Sequence, residues 1–438
     1  MRGKMETVHK ARGILRAAQS SEFLRHNAIF FAGSMAIGAL NYLYYPILGR
    51  MLAPAAFGEV QTIVTLFLQL AVFLGVIGNL TVNIVANHPG EKAAQRTMME
   101  LERLALIVSV ICLAVTAIIA PQLRNFFQFK DTLPFIVLAV AMVISVPATF
   151  RSAYLRGSKA FGAASVAGLI SAAAKLLLSV LFVKLGWGVS GAIFGLVIAQ
   201  ALSYLYAAMQ AQRSGYKTPS GASWFTLPNI KLIQPELKYA GLVLVCSLTT
   251  TMLYSVDVIA VKHYFDAHTA GLYAGLATVA RIMFFLTGSI AQVLLPSVKL
   301  KQPSSANRAV LAKSAVLTSM VGGGVLLMFW IMPSRVVNLL MGEGYEPYAH
   351  LLPRLSLVIF TVSLLNLVML YFMALRRYAI GFLGILGITV TCGLVGMYHD
   401  SPQAIIDSML YGVTGLCVSI MVWLLLTRRP AKTEGGGT

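Results

Sequence analysis

The chain has 438 residues, of which 58% are hydrophobic and 11% charged, and its net charge at pH 7 is +19. Soluble domains carry roughly 25% charged residues, and about 20 consecutive apolar residues cross a bilayer core. This composition excludes a soluble globular fold and predicts an all-α polytopic membrane protein. Cys112, Cys246, Cys392 and Cys417 all fall in apolar runs and read as small buried hydrophobes rather than a disulfide framework.

Residues 1–27 are basic and polar and lack the short apolar stretch and small-residue site of a cleavable signal. They read as a cytoplasmic segment, with the first span as its own uncleaved signal. Twelve spans follow, at 28–48, 58–86, 104–120, 132–150, 162–183, 189–209, 240–261, 270–297, 314–331, 355–373, 378–397 and 404–426. With the N-terminus inside, 25 Lys/Arg fall on inner segments and 7 on outer ones, and Lys175 and Arg281 lie within spans. That bias obeys the positive-inside rule and puts both termini in the cytoplasm. The basicity is thereby topological, and no nucleic-acid partner is expected. The longest polar connection, 210–239, contains Pro219, Pro228 and Pro235. It reads as a cytoplasmic linker between an N-lobe, 28–209, and a C-lobe, 240–426, with 427–438 as a cytoplasmic tail.

The two halves look like repeats. Gly58 in LGRMLAPAAFGEV and Gly271 in VKHYFDAHTAGLY stand at nearly the same offset as Pro121 in APQLRNFF and Pro333 in MPSRVVNLL. Six spans per half leave both lobes in the same orientation. GAIFG at 191–195 has the small-xxx-small spacing of closely packed helices.

An ionisable residue in a span costs about 2.5–3.5 kcal/mol on insertion scales, so it usually faces a bundle interior or a wet cavity. Asp257 lies near the outer end of span seven, and Arg281 lies about 17 Å into span eight at 1.5 Å per residue, near the midplane. An ion pair tethering the two helices and a cavity-facing role are both open. Lys175 in span five reads more readily as a snorkelling stem. Asn41, Gln61, Gln69, Asn79 and Asn83 are uncharged polar residues within spans, open to interhelical hydrogen bonding or substrate contact. Tyr42, Tyr44 and Tyr45 could stack on sugar rings, and Tyr44 and Tyr45, near the outer end of span one, read more readily as interface anchors. No nucleotide-binding GxxxxGK[ST], no HExxH and no Cys/His metal spacing occurs. The longest outer loop, 332–354, leaves no room for an extramembrane catalytic domain, so no enzyme is expected.

Several stretches carry a family resemblance: GRMLAPAAFGEV, the region 154–195, the region 238–298 with its Asp before Gly-Leu-Tyr, and MGEGYEPYAHLLPRLS. Together they resemble the Wzx-like oligosaccharide flippases of the polysaccharide transporter group. That group belongs to the MOP superfamily, with the MATE multidrug exporters and the lipid II flippases. The resemblance implies two six-helix lobes around a central cavity lined by spans one, two, seven and eight. It also implies alternating-access flipping of a lipid-linked oligosaccharide, of undecaprenyl-diphosphate type, across the bacterial cytoplasmic membrane for surface polysaccharide biosynthesis. Arg281, Asp257, Asn41, Gln69, Asn83 and Arg50 are then the candidate cavity residues, and Asp257 with Lys262 a candidate gate or ion-coupling site. Membrane lipids, a polysaccharide polymerase and chain-length machinery are the expected partners. No cofactor is expected, with H⁺ or Na⁺ coupling open. A MATE-like cation-coupled drug or metabolite exporter and a non-transporting scaffold of a polysaccharide assembly complex are the alternatives.

Overall fold

A computed structural model describes residues 33–88, 91–216, 230–298 and 303–426. Among these residues the fold is all helical, and ten helical stretches are long and apolar enough to cross a membrane. One of the ten, Phe161–Arg213, covers two of the expected spans. Residues 33–51 are helical (α1) and hold most of the expected first span. The chain divides into two compact units, Met1–Ala240 and Gly241–Thr438.

In the first unit Pro54 opens α2 (Pro54–Asn87), where a missing N–H costs nothing. The helix α3 (Lys92–Phe126) starts well before the expected 104. Its polar first turns extend the apolar span as a helix and carry the Arg96–Glu100 pair at 3.0 Å, spaced i,i+4. α4 (Leu133–Gly157) packs on α2, α3 and α6, at the centre of this unit. Near its C-terminal end Arg151 Nη1 donates to Glu102 Oε2 at 2.8 Å, and its guanidinium stacks 4.5 Å from the Tyr216 ring centroid.

α5 (Phe161–Phe182) and α6 (Gly188–Arg213) are joined by a π-helical turn, Val183–Trp187. Gly186 and Gly188 take positive φ there (86° and 51°), a conformation that a Cβ penalises. The expected close approach at GAIFG is present: a methyl on Gly195 would lie 2.6 Å from Ser179 N, and Ser179 Oγ donates to Ala192 O at 2.7 Å.

α7 (Ile230–Tyr264) starts ten residues before the expected span seven, inside the expected linker. Ile233 packs there against Ile84 and Ala94, and this burial outweighs the breaker signal of Pro235. In the second unit Asp266 caps α8 (Ala267–Ala280), accepting from His268 N at 3.0 Å and Thr269 N at 3.1 Å. The Thr269 hydrogen bond, ahead of that from His268, holds the Asp266 carboxyl below its ordinary value. The expected span eight is one apolar stretch, Ala267–Ala291, within which α8 and α9 (Ile282–Ser297) meet at a single turn residue, Arg281. α10 (Ser304–Ile331) follows. The expected outer loop 332–354 is largely helical, as α11 (Pro333–Met341) and a 3₁₀ segment, Glu343–Leu351. The unit closes with α12 (Leu352–Ala374), α13 (Ala379–Met397) and α14 (Pro402–Leu426). Large apolar side chains such as Ile118, Ile331 and Phe382 are exposed. A helix that pairs its own backbone groups can turn such side chains to lipid.

Candidate functional site

Asp257, the expected span-seven carboxylate, is fully buried. Arg281 Nη2 donates to Asp257 Oδ1 at 2.7 Å, and Tyr273 Oη donates to Asp257 Oδ2 at 3.1 Å. Arg281 Nε donates to Tyr254 O at 3.2 Å, and the guanidinium lies 4.8 Å from the Tyr254 ring centroid. Both carboxylate oxygens therefore have a donor. The break between α8 and α9 falls at Arg281, whose side chain turns back toward α7. The Arg281 charge meets a buried carboxylate rather than open space, an arrangement that suits a tether and equally a gate in its closed state.

The other expected site residues are dispersed. Lys262 is buried within α7 and not in an outer loop. Arg50 is exposed at the end of α1, and Gln69 is buried in α2. Asn83 is half-buried and Asn79 exposed, so the two share a face without a common buried environment. Asn41 accepts from Lys175 Nζ at 2.5 Å, and that ammonium lies 4.5 Å from the ring centroid of the buried Tyr44. Tyr44 is thus a core residue rather than the expected interface anchor, because Lys175 turns inward against its ring.

Two cavities lie within the units, and none of the expected site residues lines either. The cavity of the first unit is ≈ 420 Å³. α4 contributes Ser145, Thr149, Ser152 and Arg156, and α5 contributes Ser165, Gly168 and Ser171. Ser34, Gln200 and Ser203 complete its polar lining, and among the described residues no carboxylate lines it. The cavity of the second unit, ≈ 370 Å³, is lined by Ser247, Thr250, Thr251 and Asn366 together with apolar side chains, and among the described residues no charged side chain lines it. Among the described residues no cluster of three His, Cys, Asp or Glu side chains is placed to hold a metal ion.

The first cavity did have a sequence signal. Ser145, Thr149, Ser152 and Arg156 follow i, i+4, i+7, i+11 spacing, one face of a helix. Arg156 sits just past the expected end of span four, where the charge rule accounts for a basic residue without giving it a site.

Comparison with known proteins decides the family. A family model described as "Polysaccharide biosynthesis protein" matches residues 47–350. The chain belongs to that family. This polysaccharide biosynthesis protein has the fold of MOP-superfamily transporters. It is similar to an inward-facing MATE multidrug resistance transporter (TM-score 0.68, 13% identity, covering 89% of this chain and 94% of that one). It is similar to the lipid II flippase MurJ in an inward closed conformation (TM-score 0.63, 12% identity, covering 90% and 87%). A MOP superfamily transporter from Pyrococcus furiosus also aligns (TM-score 0.55, 13% identity, covering 92% and 95%). No curated protein matches the sequence. The chain is thus a multi-pass membrane protein of the polysaccharide biosynthesis family, with the fold seen in the MATE transporter and MurJ structures.

Proposed function

We propose that this protein moves a lipid-linked oligosaccharide from the inner to the outer face of a bacterial cytoplasmic membrane, for polysaccharide assembly. The observation that carries the reading is the ≈ 420 Å³ cavity of the first unit, which among the described residues offers one guanidinium, seven Ser/Thr hydroxyls and Gln200, with no carboxylate in its lining. Hydroxyls and amides satisfy a sugar, and a guanidinium satisfies a phosphoryl oxygen bidentately. A cationic drug would ask for the opposite charge, which disfavours export of cations through this cavity despite the MATE-like fold. The family description and the similarity to a lipid II flippase support the same reading. The Lys/Arg bias supports cytoplasmic termini.

The test is removal of the protein from its own cells. The reading expects a lipid-linked oligosaccharide to accumulate on the cytoplasmic side and surface polysaccharide to fall. An unchanged glycolipid pool with unchanged surface polysaccharide would refute it.

A further inference from the structure

We propose that Arg156 and Ser165 form an oxyanion subsite in the cavity of the first unit, one that takes a phosphoryl group of a prenyl-diphosphate lipid. The proposal deepens the carrier reading, since it names the part of the substrate held at this place.

Two residues that line one cavity each carry a buried donor atom with no protein partner. Arg156 Nε donates to no protein atom. Ser165 is 8% exposed, and its Oγ also has no protein partner. Buried polar atoms are nearly always paired, so two unpaired donors lining one space point to a ligand that supplies acceptors. The neighbouring arginine of the same helix shows the contrast, because Arg151 is spent on Glu102 at 2.8 Å. The hydroxyls around Arg156 are differently occupied: Ser145 and Thr149 donate to carbonyls of their own helix, and Ser203 donates to Ala167 O. They remain acceptors toward sugar hydroxyls.

Helices pack closely beside these residues: a methyl on Gly78 would lie 3.0 Å from Thr149 Cγ2 and 3.7 Å from Arg156 Nη2, and one on Gly33 would lie 3.1 Å from Ser165 Oγ. A carboxylate of an acidic sugar shares the oxyanion chemistry. Position along the helix favours the phosphoryl group. Arg156 stands in the last turn of α4, at the end that the charge bias assigns to the cytoplasmic face. There a lipid head group enters with its diphosphate at the interface.

The experiment uses the full chain in lipid nanodiscs and titrates farnesyl diphosphate, methyl glucuronide and farnesol by calorimetry. We expect farnesyl diphosphate to bind and farnesol not to. Arg156→Gln should weaken the diphosphate about tenfold or more, as loss of a charge-assisted hydrogen bond does. Arg156→Lys should recover part of the affinity, since it keeps the charge without the planar fork. Ser165→Ala should weaken binding by a smaller factor, and it keeps the proposal testable if an Arg156 variant unfolds. Wild-type affinity for the diphosphate in both Arg156→Gln and Ser165→Ala would overturn the proposal. Arg156-dependent binding of the glucuronide alone would overturn it too, placing an acidic sugar there instead. Failure of this subsite is distinct from failure of the carrier reading, because glycolipid accumulation on removal of the protein does not depend on which residue holds the phosphate.

Discussion

Arg281 and Asp257 meet at 2.7 Å across two neighbouring helices, and neither is more than 5% exposed. With Tyr273 on the second carboxylate oxygen, the carboxylate is satisfied inside the protein. Such a pair adds little net stability, but removing one partner strands a buried charge, at about 3–5 kcal/mol. Asp257→Asn should therefore lower thermal stability strongly, and the Asp257→Asn/Arg281→Gln double variant should recover part of the loss. Transport per folded molecule should stay near wild type. Normal thermal stability with transport abolished would show a gate or coupling site instead of a tether.

The α5–α6 hairpin depends on Gly195. A methyl there meets the Ser179 backbone at 2.6 Å, and a backbone atom cannot rotate away. Gly195→Ala should cost about 1–3 kcal/mol through overpacking. Gly393→Ala meets nothing within 4 Å and should be near neutral. Equal melting temperatures for the two variants would contradict the close approach.

Asp266 caps α8 through the amides of His268 and Thr269. Its carboxyl is held below the ordinary value of 3.8, so its contribution is complete above that pH and is lost as pH falls through the lower folded value. Asp266→Ala should cost about 0.5–2 kcal/mol at neutral pH. Wild type and variant should converge in stability on acidification. A difference that grew toward low pH would reverse the assignment.

Topology follows from the charge bias. In a cysteine-free background, a cysteine at the exposed Ser214 should react with an impermeant maleimide only after permeabilisation, and one at the exposed Asp131 should react in intact cells. The reverse pattern would invert every segment.

Much of the fold was legible because bilayer length and charge asymmetry are written directly in composition. The small residues of GAIFG encode a close helix approach without reference to the rest of the chain. Asp257 and Arg281 stood out because each interrupts an apolar run, yet sequence alone left their pairing open, since it depends on a side chain bridging an offset along two helices. The start of α7 was missed because Pro235 reads as a breaker, while the partners of Ile233 lie in α2 and α3. The cavity residues were missed for a different reason. Arg156 lies where topology already explains a basic residue, and serines inside a span cost too little to attract notice. Only their spacing along α4 and α5 marks them as one wall.

The most direct test of the carrier account is reconstitution of the purified protein in vesicles holding a fluorescent prenyl-diphosphate-linked oligosaccharide, followed with a membrane-impermeant quencher. The account predicts quenching of the inner-leaflet pool at a rate that rises with protein content and falls about tenfold or more in Arg156→Gln, the loss expected from one charge-assisted hydrogen bond. A wild-type rate equal to that of protein-free vesicles would contradict it.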